Sequence, residues 1–235
     1  MLLIPKPGTH PLLLQTVIEL REQNKNTHKL TSPLSDMEGM LQHVAEQWYR
    51  MALDLKNVYE QICIMLEHVL RSTVTTPDGN MISQVVQMGD CNAPVTYQAL
   101  MNHLFSAYIG QFMDVYLDDI VIYLDMLEEH VEHVKAVLNI LRREKLYLSS
   151  SRLQFITPCL KLLGQIVDDE GIQMDSAKVD SVINWKVPMN RDLPRGFIDS
   201  VGYLMGDIPN IQIPMGVLSS LTGDMVLFHW GYAEQ

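Results

Sequence analysis

Apolar positions recur along this chain at two periods, one suited to strands and one to helices. After a Pro-punctuated entry over residues 3–8, the run Leu12-Leu13-Leu14-Gln15-Thr16-Val17-Ile18 predicts a buried strand, and a polar segment follows over residues 21–29. Asp36 stands where it can cap a helix over residues 37–46 that places Met37, Met40, Leu41 and Val44 on one face. Residues 49–55 predict a strand with Asp54 near its end, where either a ligand-bearing carboxylate or an ordinary strand terminator fits. Two β-rich runs, residues 72–75 and 81–86, flank Pro77-Asp78-Gly79-Asn80 and predict a hairpin. Asn92 is placed to cap a helix with Pro94 in its first turn. Its apolar face would be Tyr97, Leu100, Met101, Leu104, Phe105 and Tyr108, ending at Gly110.

Downstream, Tyr116-Leu117-Asp118-Asp119 is bracketed by Phe112, Met113 and Val115 on one side and Ile120, Val121, Ile122 and Tyr123 on the other. This pattern predicts two strands joined by a tight turn at the aspartates. Two adjacent carboxylates between apolar strands are costly to bury unless a cation or hydrogen bonds neutralise them. A solvated turn and a metal site are both open at this point. A helix over residues 126–145 should follow, with Leu127, Val131, Val134, Leu138 and Leu141 as its buried stripe, acidic residues early and basic residues late. Residues 160–167 and 172–174 predict a further hairpin around Asp168-Asp169-Glu170-Gly171. Helices are expected over 176–185 and 192–204, and irregular chain from 205. The order of elements points to an α+β fold whose largely antiparallel sheet is covered by helices on one face.

Composition narrows the class. A chain of 235 residues with 47% hydrophobic and 19% charged residues is globular. No apolar run approaches the roughly 20 residues that span a bilayer, and Pro5 interrupts the start too early for a secretory leader. Cys63, Cys91 and Cys159 are widely spaced and odd in number, which suits free thiols in a reducing compartment, cytoplasmic or nuclear. A formal charge of −11 argues against avid non-specific nucleic-acid binding by the whole chain. His130 and His133, beside Glu129, read either as metal ligands lacking a third partner or as a solvated helix face. Arg142, Arg143, Lys145 and Arg152 read as a solvated helix end.

Four blocks in order then carry a resemblance. Tyr116-Leu117-Asp118-Asp119 is similar to the YxDD signature of reverse transcriptases, and residues 52–62 resemble the first aspartate motif of that family. Residues 89–98 resemble its G-x-x-N-A-P-x-x-F-Q block. Leu162-Leu163-Gly164, with Glu170-Gly171-Ile172, Lys178-Val179 and Trp185, resembles the primer grip and the entry to the thumb. The resemblance is strongest to gypsy-type LTR retrotransposon polymerases and covers nearly the whole chain. It implies a right-hand fold, with fingers and palm over residues 1–175 and an incomplete thumb or connection over 176–235. It also implies a polyprotein fragment that begins within the fingers and ends short of RNase H, integrase and a complete thumb.

By the same resemblance, Asp54, Asp118 and Asp119 bind two Mg²⁺ ions, with Mn²⁺ as a substitute, and the partners are an RNA or DNA template-primer and dNTPs. Asp54 and Asp118 would bridge both ions and the Leu55 carbonyl would add an oxygen; consecutive strand residues point to opposite faces, so Asp119 is expected to be the less direct partner. Tyr59 matches the gate against a ribose 2′-hydroxyl, Lys6 a fingers lysine on the triphosphate, and Gly89 and Gln98 positions beside the nascent base pair. Arg21 and Asn24-Lys25 match the block after that lysine. The departures are Gln15, where related enzymes often place an arginine that binds phosphate bidentately, Val58, where Gly or Ala is usual beside the gate, and Met65-Leu66, where a proline is usual. Two functions follow: an RNA-directed DNA polymerase core, or a catalytically silent retroelement relic or co-opted fold acting as a binding module.

Overall fold

The computed structural model describes residues 2–5, 14–32, 36–150, 152–190, 192–202, 208–223, 226 and 228–231, and for 2–5 and 14–17 the backbone alone. The chain divides into two compact units, Met1–Gln173 and Met174–Gln235.

The entry is itself a strand: β1 (Leu2–Pro5) pairs antiparallel with β2 (Leu14–Val17). The polar segment contains a short helix, α1 (Arg21–Lys25). Helix α2 (Met37–Ala45) is capped as its sequence predicts, with Asp36 accepting from the Glu38 N–H at 3.2 Å. Strand β3 (Tyr49–Asp54) leads into two 3-10 turns, Val58–Gln61 and Leu66–Ser72. The hairpin of β4 (Val74–Thr76) and β5 (Gly79–Met81) is shorter than expected. Its turn is Pro77-Asp78, and Gly79, at φ +121°, already faces Thr76.

Then come α3 (Ala93–Leu104), β6 (Met113–Tyr116), β7 (Asp119–Leu124) and α4 (Leu127–Arg143). Residues 160–174 form three strands rather than two: β8 (Leu160–Leu162), β9 (Gln165–Asp168) and β10 (Gly171–Met174), with β9 central. The extra turn is Leu163-Gly164, both residues at positive φ. The second unit holds α5 (Ser176–Ile183), α6 (Asp192–Gly202) and α7 (Gln212–Ser220). Helix α7 replaces the irregular tail expected there, because Met215, Leu218 and Leu221 recur on one side and are buried.

The sheet that matters most has the order β3-β7-β6, all antiparallel. Both of its faces are covered, not one. Met51, Leu53, Met113, Val115, Ile120 and Ile122 pack with Tyr97, Met101 and Phe105 of α3 and its exit and Val137 and Leu141 of α4. Ala52, Val121 and Tyr123 face Met40, Leu41 and Val44 of α2 together with Leu160, Leu162 and Val167. Burial on both faces explains the continuous apolar runs of β3 and β7. Arg50, 2% exposed, binds the α2 C-terminus through the Val44 and Ala45 carbonyls at 2.9 and 3.2 Å and reaches Asp169 at 3.0 Å.

The β6–β7 turn is held from beneath. Leu117 lies at φ +50°, a strained region for a side chain with a Cβ. Its N–H donates to Gln98 Oε1 at 2.8 Å, while Gln98 Nε2 donates to the Val115 carbonyl at 3.1 Å and to Asn102 Oδ1 at 2.9 Å. Gln98 is fully buried. Gln98→Leu should leave these backbone groups unpaired and lower the unfolding free energy by about 1–3 kcal/mol, a loss read as a lower urea midpoint with unchanged slope.

The buried stripe of α4 is rotated from the expected one. Leu127 and Val131 are each 40% exposed, while His130, Val137 and Leu141 are buried. The two histidines are therefore not a solvated face: His133 stacks on Phe112 with ring centroids 3.8 Å apart, and His130 lies 6.3 Å from Tyr49. Neither ring nitrogen of His130 has a hydrogen-bond partner, and burial, with His133 nearby, lowers its pKa. The unfolded chain therefore binds the extra proton, so stability falls as pH drops below the ordinary histidine value near 6.5. His130→Leu should raise the urea midpoint, and raise it more at pH 5.5 than at pH 7.5; an equal gain at both would exclude the titration as the cause.

Candidate active site

The register of the central sheet sets the site. In the β3–β7 ladder Asp54 is the direct partner of Asp119, and in β6–β7 Asp119 is the partner of Tyr116. Directly opposed residues hold their Cβ atoms about 4.5–5.5 Å apart, so two like charges are set side by side. Asp118 sits in the turn beyond them. The alternation that seemed to turn Asp119 away from the site in fact gives it the same face as Asp54, and Asp118 is the residue freed from the ladder.

Electrostatics follow from this crowding. Burial, and then Asp118 and Asp54, raise the Asp119 carboxyl to about 6. Asp54, 7% exposed, is also raised by burial and by Asp118, against the lowering effect of Arg152. Asp54 Oδ2 is buried without a hydrogen-bond partner. The other oxygen, Oδ1, accepts from Arg152 Nη1 at 3.2 Å.

Two clefts open here. One of about 490 Å³ is lined by Asp54, Asp118, Asp119, Arg152, Gln154 and Lys161, among others. The second, of about 270 Å³, is lined by Leu55, Val58, Tyr59, Met88, Asp118 and Arg152, among others. Asp118 and Arg152 border both. Tyr59 meets Tyr97 edge-on, centroids 6.3 Å apart, and its hydroxyl pKa is raised by burial and by Asp118. Val58 lines the cleft yet is 8% exposed and packs into the core.

Of the remaining expected residues, Leu55 borders the second cleft and bridges to Leu148. Gln98 has its amide committed to the turn described above. Gly89, at φ +99°, offers its carbonyl to Asn24 Nδ2 at 2.8 Å. Lys6 lies outside the described residues. Asn92 does not cap α3 with its side chain; it accepts from the Leu30 N–H at 3.0 Å and donates to the His28 carbonyl at 2.9 Å. Asn24 Oδ1 likewise accepts from the Cys91 N–H at 3.0 Å.

Arg152 is the residue that local pattern misses. It is no part of a solvated helix end. Residues 147–150 and 152–157 run beside β3, with the Ser149 N–H on the Asp54 carbonyl at 2.8 Å and Ala52 and Gln154 exchanging backbone hydrogen bonds at 3.0 Å each. That pairing across 98 positions brings Arg152 to Asp54. Nothing in its neighbours signals it.

The comparisons with known proteins agree with this architecture. The chain is 28% identical over 196 residues to the retrovirus-related Pol polyprotein from transposon 297 of Drosophila melanogaster, covering 83% of this chain and 18% of that protein. It is 28% identical over 225 residues to the transposon Tf2-3 polyprotein of Schizosaccharomyces pombe, covering 96% of this chain and 17% of that protein. The chain thus spans less than a fifth of the length of these relatives. A foamy viral protease-reverse transcriptase solved with double-stranded DNA matches its fold with a TM-score of 0.82 at 20% identity, over 99% of this chain and 40% of that one. The foamy viral protease-reverse transcriptase with an RNA/DNA hybrid matches with a TM-score of 0.81 at 21% identity, over 98% of this chain and 31% of that one. The fold is therefore that of the right-hand polymerases. With the reverse transcriptase (RNA-dependent DNA polymerase) profile matching residues 4–167, more than half of its length, the chain belongs to the reverse transcriptase family.

Proposed function

We propose that this chain is an RNA-directed DNA polymerase core that extends a primer 3′-hydroxyl with dNTPs on an RNA or DNA template. The observation that carries the reading is the opposed Asp54–Asp119 pair with Asp118 between two clefts, one of them lined by Tyr59. In this reading residues 1–175 are fingers and palm, and 176–235 begin the thumb.

The donor set suits a hard divalent cation. All three side chains are carboxylates, the elevated Asp119 and Asp54 mark uncompensated negative charge, and Asp54 Oδ2 lacks a partner. Among the described residues, no group of three or more His, Cys, Asp or Glu side chains is arranged to hold a metal ion, so Asp54, Asp118 and Asp119 do not form a closed three-carboxylate site. The chain thus offers a partial ligand set, of the kind that substrate phosphate oxygens complete. Asp54, Asp118 and Asp119 would hold two Mg²⁺ ions, which lower the pKa of the attacking hydroxyl and neutralise the leaving pyrophosphate. The protein's own part is positional. The paired strands fix Asp54 and Asp119, the Gln98-braced turn fixes Asp118, and the Tyr59 ring closes the cleft floor where a ribose 2′-hydroxyl would project.

Primer extension on poly(rA)/oligo(dT) with Mg²⁺ or Mn²⁺ tests the reading. Incorporation should fall to background in Asp118→Asn. Equal background incorporation by both proteins would instead favour a binding module without catalysis. Tyr59→Ala should raise ribonucleotide incorporation by roughly tenfold or more, the discrimination that a lost steric contact gives; unchanged sugar selectivity would remove Tyr59 from that role.

A further inference from the structure

Of the arginines that approach carboxylates in the first unit, Arg50 and Arg152 do so from the central sheet, and they differ in kind. Arg50 is 2% exposed and fixed through Nε, Nη1 and Nη2 to three backbone carbonyls as well as Asp169. Arg152 touches Asp54 through Nη1 alone, and its side chain is 61% exposed while that of Asp54 is 9% exposed. The backbone beneath Arg152 is nonetheless tied down. Its N–H donates to the Ser149 carbonyl at 3.2 Å, Ser149 donates to the Asp54 carbonyl, and Gln154 pairs with Ala52. An exposed cationic head, held to Asp54 by one hydrogen bond, thus stands on a hydrogen-bonded base at the border of both clefts.

Its position relative to the carboxylates is specific. Asp54 divides its oxygens: Oδ1 faces the guanidinium and Oδ2 has no partner. A divalent cation held by Asp54 and Asp118 would lie beside Nη1, and two cations cannot share that oxygen without strong repulsion. We propose that Arg152 is an internal counter-cation of the metal-free chain, occupying Asp54 Oδ1 and leaving it when a divalent cation binds. Arg152 is then a positioning residue. It holds three crowded carboxylates together before metal arrives, and it sets the cation concentration at which they are taken over. The proposal rests on the reading of Asp54, Asp118 and Asp119 as a metal site.

Manganese titration followed by the electron paramagnetic resonance of free Mn²⁺, without nucleotide or template, tests it apart from activity. Arg152→Gln removes the competing charge and should tighten Mn²⁺ binding by about tenfold, within the usual range of coupling between competing sites. Arg152→Lys keeps a cation and should stay nearer the wild-type value. The metal-free Arg152→Gln protein should melt at a lower temperature than wild type and gain more from added Mn²⁺. Equal or weaker Mn²⁺ binding by Arg152→Gln, with binding still abolished in Asp54→Asn, would overturn the counter-cation while leaving the metal site standing. Mn²⁺ binding that is indifferent to Asp54→Asn would overturn the metal site itself, and the counter-cation with it.

Discussion

The structure depends on one enforced proximity: β3 pairs with β7 in the register that deals their apolar residues alternately to two different cores. Leu53 and Ile120 are opposed and 0% exposed, as are Met51 and Ile122 at 1% and 0%, and Ala52 and Val121 face the second core. A one-residue slip would exchange the residues facing the two cores and spoil the packing of each. The register that protects these residues also places Asp54 opposite Asp119 at the end of the ladder. Hydrophobic burial therefore supplies the free energy that holds two carboxylates together against their repulsion.

The features around the site answer the strain that this pairing creates. The turn must reverse the chain at Leu117 in a left-handed conformation, and Gln98 satisfies the backbone groups on both sides of it. The return segment after α4 adds itself to the free edge of β3 and carries a cation to the charged corner. Across the cleft, Tyr59 stands on a 3-10 turn that begins only four residues beyond Asp54. The candidate site residues and their supports thus follow from the pairing of a long-range sheet.

Much of this is legible in the amino-acid sequence, and the pattern of what is not has a physical basis. The β3 and β7 strands, the Asp36 cap and the helices α3 and α4 are written in local periodicity, and their residues occupy the elements expected of them. Periodicity does not say which side of a helix is buried when a polar residue can be dry, so the α4 stripe differs from the expected one, and His130, open between a metal ligand and a solvated face, is buried. Strand pairing is also invisible locally. Leu163-Gly164 became a turn because β8 and β9 fold on each other, β1 formed from a Pro-bounded run because β2 lay within reach, and Arg152 arrived by backbone pairing. The side chain of Asn92 was expected to serve its own helix and instead serves a distant loop.

That loop contact has a mechanical meaning. Two asparagines, Asn24 and Asn92, make four hydrogen bonds between the segment 24–30 and the segment 89–92, each side chain using both its donor and its acceptor. The two stretches are riveted at both ends, so neither can shift along the other without breaking two bonds at once. Met88, in the wall of the cleft that Tyr59 lines, and α1, which carries Asn24, adjoin the same end of this joint. The joint thus ties α1, through Asn24, to the chain beside the cleft wall, and the seating of that wall is shared between two segments far apart in sequence.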